Sequence, residues 1–384
     1  MTAPTCRAAA DWPKEHAFMT THLVLVGAGH AHLHLLKHAT ALRRAGYRIT
    51  LVAPTRFWYS GMAARLLSGA PRDACSLNIA ALTARHGIEH VTAPFVALDV
   101  HTKHVFLADG HHIDFDVLSL NVGSDVVPPT PTGATVPAWG NARYWHVKPI
   151  ERLDALRQHV LNAAQQHRAL HMVVVGGGPS GVEMAANLAG LSQRLGAANE
   201  VRLVTRHPRL ISDAPDAASR WASRQLSRLG VDWHPSVALD GGAEWLDILD
   251  VPPDDIVLAT GLRPAYCVAD LPLALDDNGI RIKATLQSEQ HATIFAVGDC
   301  ASLIDHSLPK RGIEGVRQGP VLLQNLVALQ NGAPLHDYHP PATALAIVDM
   351  HDKGLALYGE HWRGGRLALR LKRYIDTRFL QRYR

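Results

Sequence analysis

The sequence predicts an α/β protein with two doubly wound units, and three observations predict it. A strand, a glycine turn, a helix and a second strand follow one another between His22 and Val52. The same order returns between Leu170 and Thr205, about 150 residues later, which marks a duplicated architecture. The chain has 384 residues, too many for one small core.

In order along the chain, residues 1–19 carry Arg7, Asp11, Lys14 and Glu15 and no continuous apolar run. They read as a disordered leader rather than a signal peptide, with Met19 a second candidate start. His22–Val26 is a short buried-strand pattern, followed by Gly27-Ala-Gly-His-Ala-His32, a helical pattern to about Ala45, and the strand Tyr47–Val52. Pro128, Pro129 and Pro131 make Val126–Val136 a linker or turn. Leu170–Val175, the loop Gly176–Gly181, a helix to about Leu195 and Val201–Thr205 form the second unit. Pro252 and Pro253 precede the strand Ile256–Ala259, a helix is expected over Ile313–Leu329, and His339-Pro-Pro341 opens a C-terminal section. No stretch approaches 18 consecutive apolar residues, so any membrane contact is peripheral.

Hydrophobic residues make up 47% and charged residues 19%, which excludes a disordered chain. Four widely spaced cysteines without a CxxC argue against a disulfide scaffold or a zinc ribbon and for a reduced, cytoplasmic compartment. The net charge of +4 gives no nucleic-acid footprint.

A dinucleotide needs a tight turn, a close backbone approach to its pyrophosphate, and amides at a helix N-terminus. Gly176, Gly178 and Gly181 have the G-x-G-x-x-G spacing in the right strand–helix setting. The first loop has Gly27 and Gly29, but His32 stands where the third glycine belongs. That histidine implies a wider helix–strand gap or a ring rotated outward. The ribose-binding acid is missing after both second strands, which end in Val52-Ala53-Pro54 and Thr205-Arg206. Arg206 suits a 2′-phosphate, biasing the second site towards NADPH over NADH; a solvated surface arginine is the other reading.

Thr293-Ile-Phe-Ala-Val-Gly-Asp299, Ile256-Val-Leu-Ala-Thr-Gly261 and Leu118-Ser-Leu-Asn-Val-Gly123 join the two loops in one order along the chain. Together they resemble the flavoproteins with two dinucleotide-binding domains, the pyridine nucleotide-disulfide oxidoreductase superfamily. Val26-Gly-Ala-Gly-His-Ala-His-Leu-His34, Tyr59-Ser-Gly-Met62, Lys310-Arg-Gly312, Val316-Arg-Gln-Gly-Pro320 and Leu371-Lys-Arg-Tyr-Ile-Asp376 narrow the likeness. They are similar to type II NADH dehydrogenases and to the FAD-dependent oxidoreductases fused to selenide, water dikinase.

The resemblance implies two interleaved Rossmann-like FAD/NAD(P)-binding domains plus a small C-terminal section. The FAD domain would comprise 20–148 and 280–338, the NAD(P)-type domain 149–279, and an interface or membrane-surface section 339–384. It implies that Gly27, Gly29, His30, His32, Gly123, Gly298 and Asp299 hold FAD, with Asp299 on the ribityl chain. Gly176, Gly178, Gly181, Arg206 and Gly261 would hold NAD(P)H. Glu183 would lie near the nicotinamide–flavin contact, Lys310 would face the flavin, and Gln318 would sit near a quinone pocket. The implied activity passes electrons from NAD(P)H through the flavin to an acceptor, a quinone. Two other readings stay open: an oxidoreductase of sulfur or selenium species that donates to quinone without nicotinamide, and a flavoprotein with a binding or redox-sensing role.

Relatives that reduce disulfides carry a CxxxxC pair, whereas Arg56–Leu67 has no cysteine. Cys267 and Cys300 each follow a nucleotide-binding strand and read as small buried hydrophobes rather than a redox pair. His30, His34 and His38 share one helical face at metal-ligand spacing, yet no acid or cysteine accompanies them, and no metal is expected. His101, His104, His111 and His112 read as surface groups. The last 19 residues hold seven Lys/Arg against Asp376 alone, a net +6 that leaves the rest of the chain at −2. Leu367, Leu371, Ile375, Phe379 and Tyr383 repeat every fourth residue, with Tyr374 and Leu380 beside them. Such a basic amphipathic helix suits the inner face of an anionic membrane; a homodimer contact or packing on the chain's own core is the alternative.

Overall fold

The computed structural model describes residues 20–126, 142–237, 249–306 and 308–384. The expected leader at 1–19 and the expected proline linker from residue 127 onward lie outside the described residues.

The first unit opens with β1 (Thr21–Val26), α1 (His30–Lys37), α2 (Ala39–Arg44) and β2 (Tyr47–Val52). β3 (Glu89–Val91) follows, then an antiparallel meander of β4 (Phe95–Asp99), β5 (His104–Leu107) and β6 (His112–Asp114), and then β7 (Val117–Leu120). The second unit has β8 (Arg143–His146), β9 (His171–Val175), α3 (Pro179–Leu195), β10 (Glu200–Val204), β11 (Asp232–His234) and β12 (Asp255–Leu258). The chain then returns through β13 (Ile294–Ala296) and α4 (Gly312–Gln330). It ends in β14 (Ala346–Met350), β15 (Lys353–Tyr358), β16 (His361–Gly365) and α5 (Arg366–Gln381).

The two main sheets are copies of one plan. Their strand orders are β13-β7-β1-β2-β3 and β8-β12-β9-β10-β11, and every pairing is parallel. The apolar runs Leu23–Val26 and Met172–Val175 are buried on both faces, as the inner strands of parallel sheets must be. Val26 pairs with Val52 and Leu120, and Val175 with Val204 and Leu258, so both glycine loops leave their sheets at equivalent points. The edge strands reach these places by different routes. β13 joins the first sheet after the whole second unit has passed, whereas β8, within the stretch expected to belong to the first domain, joins the second sheet before it.

Two helices differ from expectation. The helix expected to run to Ala45 breaks at His38, whose backbone N–H is shared between the His34 and Leu35 carbonyls. The His38 ring Nδ1–H donates to the His34 carbonyl at 2.8 Å, closing the first segment before α2 starts. α4 continues through Pro320, and its Gly315 and Gly319 lie against the His30 and His34 side chains, so the helix approaches α1 closely. The C-terminal section forms a three-stranded antiparallel sheet with α5 packed on it, and β14 packs against α3. Among the described residues, no helix is long and apolar enough to cross a membrane.

Candidate functional site

The first glycine loop is closed by the chain itself. Gly27 takes φ +87°, and a Cβ there would run into the Asn121 carbonyl oxygen. A Cβ at Gly29 would run into the Asn121 side chain. Asn121 Oδ1 accepts the Ala31 and His32 amides at 3.1 and 3.3 Å, two of the first N–H groups of α1. Its Nδ2 donates to the Val297 carbonyl at 2.7 Å, which ties the ends of β7 and β13 to the loop.

His32 does not rotate outward. Its ring is fully buried, Nδ1 lies 2.5 Å from the Gly27 carbonyl and Nε2 lies 2.8 Å from Ser119 Oγ. A carbonyl only accepts, so Nδ1 carries the proton and Nε2 accepts from the serine hydroxyl. Burial lowers the pKa of His32 to about 4, against the pull of the Gly27 hydrogen bond. The ring is therefore neutral and serves as a brace where the second loop has a glycine.

Asp299 lies in the middle of a short 3₁₀ turn, Gly298–Cys300, after β13. Its Oδ2 accepts from Lys148 Nζ at 2.8 Å and from Ser124 Oγ at 2.7 Å. Burial alone would raise this carboxyl; the Lys148 ammonium and the two hydrogen bonds outweigh it and hold the pKa below the usual carboxylate value. Lys310 Nζ donates to the carbonyls of Asn278 and Asp299, both at 2.6 Å, so this cation clamps the backbone around Asp299. Gln318 is buried on α4, and its Oε1 accepts the Gly298 amide at 2.6 Å. Gly298 and Gly123 take φ +71° and +83°.

His30 links this cluster to the C-terminal helix. Its ring packs edge-on against Phe57 and Tyr59 and tilts against Phe379, with centroids 5.2, 5.7 and 5.5 Å away. Burial drives its pKa down to about 4, against the raising field of Asp299. Its Nε2 is buried without a hydrogen-bond partner. That orphaned atom, beside a glycine cradle that admits no Cβ, suits a polar ligand at this place.

The second loop has the same backbone and is left open. Gly176 takes φ +122°, and a Cβ there would meet the Ala259 carbonyl oxygen; one at Gly181 would meet the Gly176 oxygen. Nothing approaches within 4 Å of the Cβ direction at Gly178, which starts α3 with no side-chain cap. Gly261 takes φ +109° and is equally open. Arg206 is exposed, with no ion pair among the described residues. Such an uncapped helix N-terminus is an anion seat.

Glu183, one turn into α3, is enclosed by the C-terminal section. Its Oε1 accepts the Asp349 amide at 2.7 Å and lies 3.8 Å from Lys372 Nζ. Burial raises its pKa to about 7, against the Lys372 charge and the Asp349 amide. Lys372 also donates to the Gly61 carbonyl at 3.0 Å and lies 3.3 Å from Asp376 Oδ2; Tyr59 donates its hydroxyl to Asp376 Oδ1 at 3.1 Å. The ring of Tyr59 stacks on Phe379 at 4.4 Å.

This packing divides the expected apolar stripe of the tail. Phe379, Leu380 and Tyr383 are buried, but Leu367, Leu371, Tyr374 and Ile375 are exposed, by 68%, 44%, 60% and 39%. Lys372 and Asp376 take the inner face because each finds a charged partner there.

The expected residues thus divide into two clusters, Gly27, Gly29, His30, His32, Gly123, Gly298, Asp299, Lys310 and Gln318 in one, and Gly176, Gly178, Gly181, Glu183, Arg206 and Gly261 around the other loop. Asn121, Ser124, Lys148 and Lys372 were not singled out from the sequence. Asn121 had a faint signal, since it sits in the quoted Leu118–Gly123 segment. Cys75, Cys267 and Cys300 are free thiols. Burial, with the Cys300 thiol beside it, pushes Cys267 up to about 11, and burial raises Cys300 too, so neither offers a thiolate at neutral pH.

Matched parallel sheets, each with a glycine loop at its C-terminal edge, define a protein with two dinucleotide-binding units. The chain belongs to the pyridine nucleotide-disulphide oxidoreductase family, whose profile matches residues 21–320. It is 29% identical to the demethylphylloquinone reductase NdbB of Synechocystis sp. over 284 residues, 69% of this chain and 68% of that protein. It is 28% identical to a mitochondrial internal alternative NAD(P)H-ubiquinone oxidoreductase of Arabidopsis thaliana over 214 residues, 51% of this chain and 42% of that protein. The sulfide:quinone oxidoreductase of Aquifex aeolicus superposes with a TM-score of 0.75 at 17% identity, covering 95% of this chain and 92% of that one, which shows a shared fold.

Proposed function

We propose that the chain is a FAD-dependent NAD(P)H:quinone oxidoreductase. One observation carries the reading: two loops of similar backbone, one closed and braced, one open, share a sheet edge plan in a family of pyridine nucleotide oxidoreductases. The names of the two relatives, a quinone reductase and an NAD(P)H-ubiquinone oxidoreductase, support the donor and acceptor classes.

Gly27 and Gly29 would let the backbone approach the FAD pyrophosphate, His30 Nε2 would bond it, and Asp299, held ionised by Lys148, would accept from a ribityl hydroxyl. The chemistry FAD would supply there is acceptance of a hydride from a nicotinamide and delivery of the electrons to a second acceptor. Gly176, Gly178 and Gly181 would seat the nicotinamide cofactor's pyrophosphate at the start of α3, with Arg206 beside the ribose and NADPH favoured. A quinone that gains two electrons also gains two protons, and a hydride brings only one. Glu183 holds a proton up to about neutral pH and connects through Lys372 to Asp376 and Tyr59, so it is suited to supply the other. Leu367, Leu371, Tyr374 and Ile375, among Arg366, Arg370, Arg373 and Arg378, form an exposed apolar and basic face suited to an anionic membrane holding a quinone.

Anaerobic stopped-flow mixing with NADH, NADPH and sulfide tests the proposal. The expected result is bleaching of a bound flavin by a nicotinamide and its recovery on adding a soluble quinone. A protein purified without flavin, or one bleached by sulfide alone, overturns it.

A further inference from the structure

The antiparallel meander of β4, β5 and β6 presents a group that neither glycine loop uses. Its inner face is apolar: Leu98, Val105 and Leu107 are buried. Residues of the opposite face alternate with them, and the register brings His104 opposite Asp114 and Phe106 opposite His112. His104 Nε2 lies 2.9 Å from Asp114 Oδ1, and His112 Nε2 lies 3.7 Å from the same oxygen. The two imidazoles stand 4.4 Å apart between centroids, each 6.0 Å from Phe106. One ligand atom from each of His104, His112 and Asp114 falls within 4.8 Å of the others, and no other trio of His, Cys, Asp or Glu among the described residues does so.

We propose that His104, His112 and Asp114 form a binding site for a divalent transition metal of the zinc class. A tetrahedral ion with bonds of about 2.0–2.2 Å holds its ligand atoms roughly 3.3 Å apart, within the range seen among these three. Two imidazoles and one carboxylate suit Zn²⁺, Co²⁺ or Ni²⁺ and not Mg²⁺ or Ca²⁺, which take oxygen ligands. Two of the ligands sit two residues apart on β6 and the third directly across on β5, so the ladder fixes their spacing. Asp99, the register partner of His104 on β4, adds a further carboxylate along this edge, although its Oδ1 accepts the His101 and Thr102 amides of the adjoining turn. Three protein ligands leave a coordination position for water or an outside ligand.

The test uses untagged, full-length holoprotein titrated with Zn²⁺ by calorimetry, and with Co²⁺ by visible absorption. One equivalent is expected to bind. His104→Ala and His112→Ala are each expected to weaken it by on the order of tenfold or more. His111→Ala, at an exposed turn residue paired with Asp109, is expected to leave it unchanged. Circular dichroism and flavin content, expected unaltered in all three, separate lost ligation from lost folding. His112→Cys is expected to keep Co²⁺ and add a thiolate-to-cobalt absorption band, a direct sign of ligation. Absence of saturable binding in the unaltered protein overturns the proposal. Equal binding in the His104→Ala and His112→Ala variants does so too, because it marks uptake by other histidines of this chain, which has 24.

Discussion

The two glycine loops start from the same backbone and end as different things. Gly27 and Gly176 each donate an amide to the second strand at 2.8 Å and each turn through positive φ. Asn121 and Ala259 occupy matching places, each donating its amide to the last residue of the central strand at 2.8 Å. His32 and Gly181 match in the same way. In the first unit the asparagine amide and the histidine ring knit the loop to three strands. In the second, alanine and glycine add no such bonds and the helix start stays free. Two side-chain positions therefore separate a closed, braced loop from an open one, the division that the proposed function assigns to a resident FAD and an exchanging nicotinamide.

The largest expected effects test that division directly. Gly27→Ala and Gly176→Ala each force a methyl into a carbonyl at positive φ, a strain of ~3 kcal/mol or more. Gly27→Ala should be purified with little flavin, read at 450 nm. Gly176→Ala should keep its flavin while its reduction by NAD(P)H slows by on the order of a hundredfold. Flavin loss from Gly176→Ala would break the comparison.

Next comes Asn121→Ala, which leaves the Ala31 and His32 amides unpaired, removes the bond to the Val297 carbonyl and should cost about 3 kcal/mol in urea unfolding. The reciprocal Ala259→Asn should leave stability and flavin intact but raise KM for NAD(P)H by roughly tenfold, because its amide would take the helix start that the cofactor needs.

The two units should also respond oppositely to pH. His30 and His32 have folded pKa values of about 4 against 6.5 unfolded, so their contribution to stability is present above 6.5 and is lost as pH falls towards 4. By pH 5 each should have lost about 2 kcal/mol. Glu183, raised from 4.5 to about 7, contributes below 4.5, and its contribution is lost as pH rises through 7. Urea midpoints between pH 4.5 and 8 check this: His32→Gln should flatten the acid limb and Glu183→Gln the neutral one. The smallest effect should be Arg206→Ala, which should raise KM for NADPH several-fold, to about tenfold, and leave NADH unchanged.

Strands and loops were legible in the sequence because their causes are local. Runs such as Leu23–Val26 bury themselves wherever a parallel sheet forms, and glycines mark turns that no other residue takes. Asp299 and Glu183 were legible as positions but not as environments. Lys148 reaches Asp299 across 151 residues, and Lys372 meets Glu183 only because the C-terminal sheet folds back on α3. No periodicity records such pairings. The outward reading of His32 failed for a related reason: Gly27 and Ser119 satisfy both ring nitrogens, which makes a buried imidazole tolerable. In the tail, a fourfold apolar repeat says nothing of Lys372, which Glu183 and the Gly61 carbonyl draw inward, or of Asp376, which pairs there with Lys372 and Tyr59.

The crossed routes of β8 and β13 bear on how the chain is made. As it leaves the ribosome, β7 emerges long before its neighbour β13, and until residues 294–296 arrive it is a bare edge beside a finished row of strands. β8 waits in the same way for β12. The second sheet is whole only once Leu258 has been made and the first only once Ala296 has been, late in a polypeptide of 384 residues, so the duplicated halves mature together rather than one after the other. A fragment cut after residue 126 would carry an unguarded strand edge and tend to aggregate, which makes the interleaving a reason for this protein to fold late and as one cooperative body.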